Sequence, residues 1–378
     1  MKRETALLVN TVLALALLGA LMVYSAGTVR MYGEDTPNGV DRTLFLRMHL
    51  IHVGVGLAAM AVAARFDYHR FRDRWILWGL GGACLGLLVL VLLFGVERKG
   101  AVRWLQLGGF SFQPSELAKL ALVVWLAVKL SENQERIKSF WKGFVPPMVL
   151  LGLFAGLVLA EHDLGTPVVM GAVTVLMCVM AGTRWPHVAS TVVSGISLVY
   201  VLCLTSENRW IRVKAFLDPV KYQDSAAGFH LVQSLSAFGR GGIWGKGLGA
   251  SEQKLYYLPE AHNDFIFAVW GEEMGLIGTL AVVALFVVLL VVALRIALCA
   301  PDLFGSLLAA GIASLICIQA AFNMAVTTGL LPTKGLPLPF ISAGGTALIV
   351  NLALTGILTN IGLQAVERER GVLAAAAK

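Results

Sequence analysis

The chain has 378 residues, of which 57% are hydrophobic and only 14% charged, with a mean hydropathy of +0.77. A soluble domain carries roughly 25% charge and cannot hide this much apolar surface. Composition therefore excludes an ordinary soluble enzyme, a disordered chain and a secreted disulfide scaffold, and leaves a polytopic membrane protein. The formal charge of +7 is what Lys and Arg gathered in cytoplasmic loops produce, and no basic run interleaved with stacking aromatics speaks for nucleic acid.

Ten apolar stretches are long enough to cross a bilayer as helices, at about 6–27, 48–64, 75–95, 115–131, 144–160, 166–182, 187–204, 264–296, 303–329 and 343–364. The first follows Lys2 and Arg3 and ends on Ser25-Ala26-Gly27, as a signal peptide does. Its apolar run is too long for one and more spans follow, so a retained anchor is expected. With the N-terminus cytoplasmic, the inner segments hold 14 Lys and Arg and the short outer loops 7, which predicts both termini inside. The five cysteines, Cys84, Cys178, Cys203, Cys299 and Cys317, all lie in apolar stretches without zinc spacing and read as packing residues. The prediction is an all-α protein of ten transmembrane helices, a single integral membrane domain over 1–378. Its large extracytoplasmic loop, 205–263, lies between helices seven and eight. An amphipathic helix is predicted within it at about 226–239, lying along the outer interface or packed on the bundle top.

Function belongs where polarity is unfavourable, and five places stand out. In Gln113-Pro114-Ser115-Glu116-Leu117-Ala118-Lys119, Ser115 can cap span four, while Glu116 and Lys119 share a helix face. They form either a local ion pair at a capped helix end or a charged pair facing an outer cavity. Glu161-His162-Asp163 crowds three titratable groups at an outer hairpin, where Asp163 either caps the next helix or serves a site. Glu260, His262 and Asp264 precede span eight; alternate residues diverge unless the backbone turns, so a metal cluster is the lesser reading beside Asp264 as helix cap or functional carboxylate. Glu272 and Glu273 follow deeper, one of them expected to pair with a polar residue of a neighbouring span. Gln319 and Asn323, one turn apart on span nine, are expected to join helices by hydrogen bonds. Finally, 332–346 holds three prolines and three glycines and cannot continue a helix. Such a break at membrane depth is tolerated only when buried in protein or lining a cavity. Its one charge, Lys334, is an anion contact unless it snorkels to the interface. The Gly-rich run from Gly239 to Gly249 is not a nucleotide loop: Arg240 stands where a Walker motif needs Gly, Gly247 where it needs Ser or Thr, and no βαβ unit surrounds it.

Together these segments resemble the SEDS family, the peptidoglycan glycosyltransferases FtsW, RodA and SpoVE. The resemblance runs through Arg103-Trp104, Gln113 to Lys119, Asp163-Leu164-Gly165-Thr166, Gly245-Lys246-Gly247-Leu248-Gly249, Leu258 to Ala268 and Gly335 to Ser342. Glu260-Ala261-His262 and Pro332-Thr333-Lys334-Gly335 are more similar to FtsW than to RodA. His162 departs from the family's usual Pro, and Asn263 from its usual Thr.

The resemblance implies polymerisation of lipid II into β-1,4-linked glycan strands at the outer face of the bacterial cytoplasmic membrane, for septal wall synthesis. Asp264 would be the general base. Lys334, Arg103, Lys119, Arg209 and Arg212 are expected near the diphosphates, with Glu116, Asp163, His262 and Ser342 as further substrate contacts. A divalent cation, Mg or Mn, is the expected inorganic cofactor, without nucleotide. Expected partners are lipid II, membrane lipids, a class B penicillin-binding protein and other division or elongation proteins. A lipid II flippase and a scaffold of the division complex are the competing functions; against the flippase, no inner-side counterpart of the outer polar residues is evident in the sequence, nor any inverted repeat.

Overall fold

The computed structural model describes residues 1–27, 44–98, 101–107, 110–253 and 262–376. Arg30, Arg42, Lys99 and Lys378 of the charge count, and Leu258 to Ala261 of the loop motif, lie outside the described residues.

A chain surrounded by lipid must satisfy its own backbone, which selects helices. They are α1 (Lys2–Gly27), α2 (Leu44–Arg65), α3 (Arg74–Phe94), α4 (Pro114–Glu132), α5 (Val145–Ala160), α6 (Gly165–Met180), α7 (Trp185–Leu204), α8 (Glu207–Leu217), α9 (Ala226–Gly241), α10 (Ile266–Leu298), α11 (Leu303–Thr327) and α12 (Gly345–Ala376). Among the described residues, eight helices are long and apolar enough to cross a membrane; α4 and α6 are not among them. In α4 the reason is charge, since Glu116, Lys119, Lys129 and Glu132 lie on it; in α6 it is length, at 16 residues, whereas α5 continues a preceding π-helical turn, Phe140–Phe144, and reaches 21 residues with it. α11 and α12 bury 78% and 83% of their most apolar windows, against 11% for α2 and α7. The first pair is therefore the centre of the bundle and the second its rim.

Two features are not expected from the sequence, one of them non-helical. Between α3 and α4 lies a three-stranded antiparallel sheet, β1 (Val96–Arg98), β2 (Ala101–Leu107) and β3 (Phe110–Phe112), in the order β1-β2-β3. Alternation along β2 places Ala101, Arg103 and Leu105 on one face, and Ala101 and Leu105 are buried. The long loop also contains α8 as well as the expected amphipathic helix. That second helix, α9, is capped by Ser225, whose Oγ accepts from Gly228 N at 3.1 Å. It packs on the bundle: Leu231, Ser234 and Ala237 are buried, and Ser234 Oγ donates to Thr327 O at 2.6 Å.

The Gly-rich run has a structural role. α10 is broken at Gly275, whose φ of 65° interrupts the helix. The loop supplies the missing backbone partners: Leu276 N donates to Gly242 O (2.9 Å), Lys246 N to Glu272 O (3.0 Å) and Gly247 N to Glu273 O (2.9 Å). Glycine is required on both sides, since a Cβ on Gly245 would stand 2.2 Å from Glu273 O and one on Gly275 2.4 Å from Gly245 N. Nearby, Ser25 Oγ of α1 donates to Glu273 Oε1 at 2.7 Å, the interhelical pair expected for one of the two glutamates. Glu272 accepts from Ser251 Oγ, Glu252 N and Gln253 N.

Candidate active site

A cavity of about 1150 Å³ opens at one end of the bundle. Six separate parts of the chain bring polar groups to its wall: Arg103 from β2, Glu116 from α4, Asp163 from the α5–α6 turn, Arg212 from α8, His262 and Asp264 from the approach to α10, and Lys334 from the segment between α11 and α12.

That last segment is non-helical from Pro332 through Leu338, and amide side chains satisfy its backbone. Asn323 Nδ2 donates to Leu336 O (2.6 Å) and Asp264 O (2.8 Å), and Gln319 Nε2 donates to Pro337 O (3.2 Å). Gln319 and Asn323 thus clamp the broken segment. Ser342 Oγ donates to Asn263 O at 2.6 Å and accepts from Leu338 N at 2.8 Å. Ser342 therefore closes the segment onto the residue before Asp264 and does not reach the cavity wall. Gly335 leaves room for the acid: a Cβ there would stand 2.6 Å from Asp264 Oδ2.

Asp163 lines the wall and stands one residue before Leu164, the cap residue of α6, from where it ties down the start of that helix. Its Oδ1 accepts from Gly165 N at 2.9 Å and its Oδ2 from Thr166 Oγ1 at 2.7 Å. Arg103 Nη2 stands 3.9 Å from Oδ1 and donates to His162 O at 2.7 Å. His162 has a φ of 62°, a value the proline ring excludes, so the departure at this position carries its own turn geometry. Burial raises the Asp163 carboxyl, but Arg103, Lys334 and the bonds from Thr166 and Gly165 outweigh it and hold the group below its usual range. Burial pushes the half-buried Lys334 down to about 7; Asp163 opposes the shift, and Arg212, Arg103 and Arg209 add to it. Arg212 is lowered by burial and then by Arg103 and Arg209, against Asp163 and Asp264. These cations repel one another, and an anion placed among them relieves that repulsion.

Other predicted residues sit behind the wall. Lys119 is buried beneath Glu116, donating to Glu116 Oε1 (2.8 Å) and Gln319 Oε1 (2.7 Å). Arg209 turns away, its Nη1 donating to Leu202 O at 3.2 Å. Ser115 is not the cap of α4: Gln113 precedes Pro114, the first helical residue, and Ser115 Oγ accepts from Gln113 Nε2 at 3.1 Å. Phe265, not Asp264, is the cap residue of α10. Among the described residues no group of three or more His, Cys, Asp or Glu has the placement of a metal cage; Glu260 lies outside them. The sequence reading missed His52 of α2 and His230 of α9, both in the wall. The His230 ring stacks on Phe265 with centroids 5.3 Å apart and planes 11° apart. A lone histidine in an apolar helix carries no signal that would single it out.

The cell cycle protein family of FtsW, RodA and SpoVE matches residues 5–367. The chain belongs to this family. The probable peptidoglycan glycosyltransferase FtsW of Geobacter metallireducens is 46% identical over 351 residues, covering 92% of each chain. Stage V sporulation protein E of Bacillus subtilis is 42% identical over 361 residues, covering 94% of this chain and 96% of that one. Among solved structures, a peptidoglycan synthase complex that coordinates polymerization and crosslinking superposes with a TM-score of 0.76 at 28% identity, over 95% of this chain and 97% of that one. The rod shape determining protein RodA of Thermus thermophilus gives 0.69 at 27% identity, over 94% and 96%. With its apolar helices, family membership makes the chain a multi-pass protein of the inner membrane.

Proposed function

We propose that this chain is a peptidoglycan glycosyltransferase that polymerises lipid II into β-1,4 glycan strands at the outer face of the cytoplasmic membrane, in septal wall synthesis. The observation that carries the reading is Asp264 in the wall of a cavity that also presents Lys334, Arg212 and Arg103. One carboxylate beside several cations is what an inverting transfer from a lipid diphosphate donor requires. Asp264 takes the proton of the acceptor 4-hydroxyl as its oxygen attacks C1 from the face opposite the leaving group. The C1–O bond to the diphosphate breaks, and Lys334, Arg212 and Arg103 stabilise the charge that stays with the departing lipid diphosphate. Asp163 holds Arg103; Glu116 and His262 line the sugar side.

The same reading takes α1 to α7 and α10 to α12 as ten spans, with both termini inside and 205–263 outside. The burial of every α4 residue from Ala121 to Val128, all round the helix, supports counting α4 despite its charge. A class B penicillin-binding protein is the proposed partner, supported by the likeness to a peptidoglycan synthase complex. A divalent cation carried by the substrate's diphosphate is part of the same reading, sharing with the cations the charge of the leaving group.

The deciding experiment measures glycan synthesis from lipid II by the purified chain with its partner. Asp264→Asn should abolish polymerisation while the variant remains folded in the membrane; full synthesis by that variant would overturn the assignment.

A further inference from the structure

The opposite end of the bundle holds a second polar cavity. α4 leaves the active-site end and finishes at Glu132, α5 returns toward it, and α6 leads away again to the turn before Trp185. The residues after α4 and before α7 therefore meet at the far end. There a cavity of about 590 Å³ is lined by Arg136, Lys138, Lys142 and Arg184, with Glu135 its one acid. Among the described residues none of these four cations pairs with a carboxylate, although exposed cations elsewhere do, as Arg240 does with Glu252 at 2.8 Å. His187 packs its ring against Phe140 and Phe144, with centroids 5.3 and 5.1 Å apart, and its Nδ1 is buried without a partner.

The surroundings of this cavity are those of a lipid headgroup zone. Trp141 and Trp185 flank the cations and are 75% and 73% exposed, as aromatic side chains at a membrane–water boundary are. Beyond them the exposed apolar residues Val149 and Leu153 of α5, and Val193 and Ile196 of α7, lead along the bundle. Thr191 and Met148 hold these two helices together, Oγ1 to Sδ at 3.6 Å. A soluble anion would use the cations alone. A ligand with a negative head and two apolar tails uses the cations, the tryptophans and the helix faces at once.

We propose that the cavity formed by Arg136, Lys138, Lys142 and Arg184 binds the phosphate headgroup of an anionic phospholipid, whose acyl chains lie on the exposed faces of α5 and α7. The site is separate from the one that polymerises glycan, so the two proposals fail independently.

The test titrates the detergent-solubilised full chain with phosphatidylglycerol, cardiolipin or phosphatidylcholine, and reads bound lipid by native mass spectrometry and stabilisation by melting. The wild type should prefer both anionic lipids over phosphatidylcholine. Each of Arg136→Gln, Lys142→Gln and Arg184→Gln should weaken anionic lipid binding by on the order of five-fold, whereas Arg184→Lys should retain it. Should the neutral variants fail to fold, the wild-type titration decides alone: equal binding of anionic and zwitterionic lipid overturns the proposal. So does selectivity that survives removal of all three charges, and so does competition by millimolar inorganic phosphate as effective as the lipid, which would make the site one for a soluble anion.

Discussion

The carboxylate of Asp264 lies against the backbone of Gly335, so close that a Cβ on Gly335 would stand 2.6 Å from Oδ2. The acid and the cation beside that glycine, Lys334, are therefore held in one fixed relation. Gly335→Ala should displace the carboxylate without removing it. A shift of about 1 Å at a reacting group costs on the order of 100-fold in rate. The expected result is a fall in polymerisation toward that size with a melting temperature close to wild type, both measured on the same preparation.

In the proposed reaction Lys334 should impose a pH limit. With its ammonium pushed down to about 7, the free enzyme loses this positive charge as pH rises through neutrality, while the lipid diphosphate stays anionic. kcat/KM for lipid II should fall above about pH 7, because that ratio reports free-enzyme groups. An arginine stays protonated throughout, so Lys334→Arg should flatten the alkaline limb. An unchanged limb in that variant would assign the titration to another group.

Glu161 is fully buried, and neither of its oxygens has a hydrogen-bond partner. Burial, with Asp163 beside it and Arg103 opposing, pushes its carboxyl up from 4.5 to about 8. A raised acid is fully tolerated below its unfolded value and costs stability as pH climbs from there to the folded value, on the order of 3 kcal/mol by neutrality. Glu161→Gln should raise the melting temperature at pH 7, and the gain should vanish near pH 4.5.

Glu116 and Lys119 are each 2% exposed and 2.8 Å apart. Replacing Lys119 by Met leaves a buried carboxylate unpaired, a loss of about 3–5 kcal/mol. It also strips a donor from Gln319, which clamps the broken segment. The double variant Glu116→Gln, Lys119→Met should regain most of the stability. Thermal denaturation of the single and double variants separates this role from a direct contact with substrate.

Chelation tests the cation. EDTA should suppress polymerisation, with recovery on adding Mg²⁺ or Mn²⁺, while the melting temperature of substrate-free protein stays constant. A large metal-dependent rise in that temperature would instead indicate a resident site.

The eight long apolar helices found among the described residues are legible in the sequence because lipid enforces one solution, a helix wherever the run is apolar. Asp163, Asp264 and Lys334 are legible for the complementary reason: charge is scarce in this chain, so each polar group inside the apolar pattern stands out. Direction is not legible. Lys119 lies one turn from Glu116 and Arg209 one turn from Arg212, yet in each pair only the second-named residue lines the cavity, a choice made by packing partners distant in sequence. Strands of three residues, as in β1 and β3, are too short for alternation to register. α8, with 11 residues and three basic side chains, lacks an apolar stripe wide enough to read.

The break at Gly275 decides how the protein tolerates change. The half of α10 that begins just after Asp264 is tied to its neighbours through main-chain atoms of the run 242–247. Backbone partners are indifferent to side-chain identity. The exposed Ile243 and Trp244 can therefore vary over generations without disturbing the acid, whereas Gly241, Gly245 and Gly275, where any Cβ meets main chain at 2.5 Å or less, and Gly242 and Gly247, held at φ of 56° and 102°, admit no substitute. Mutational tolerance along this loop should alternate sharply between free and forbidden, with the forbidden positions set by clearance and backbone conformation rather than by chemistry.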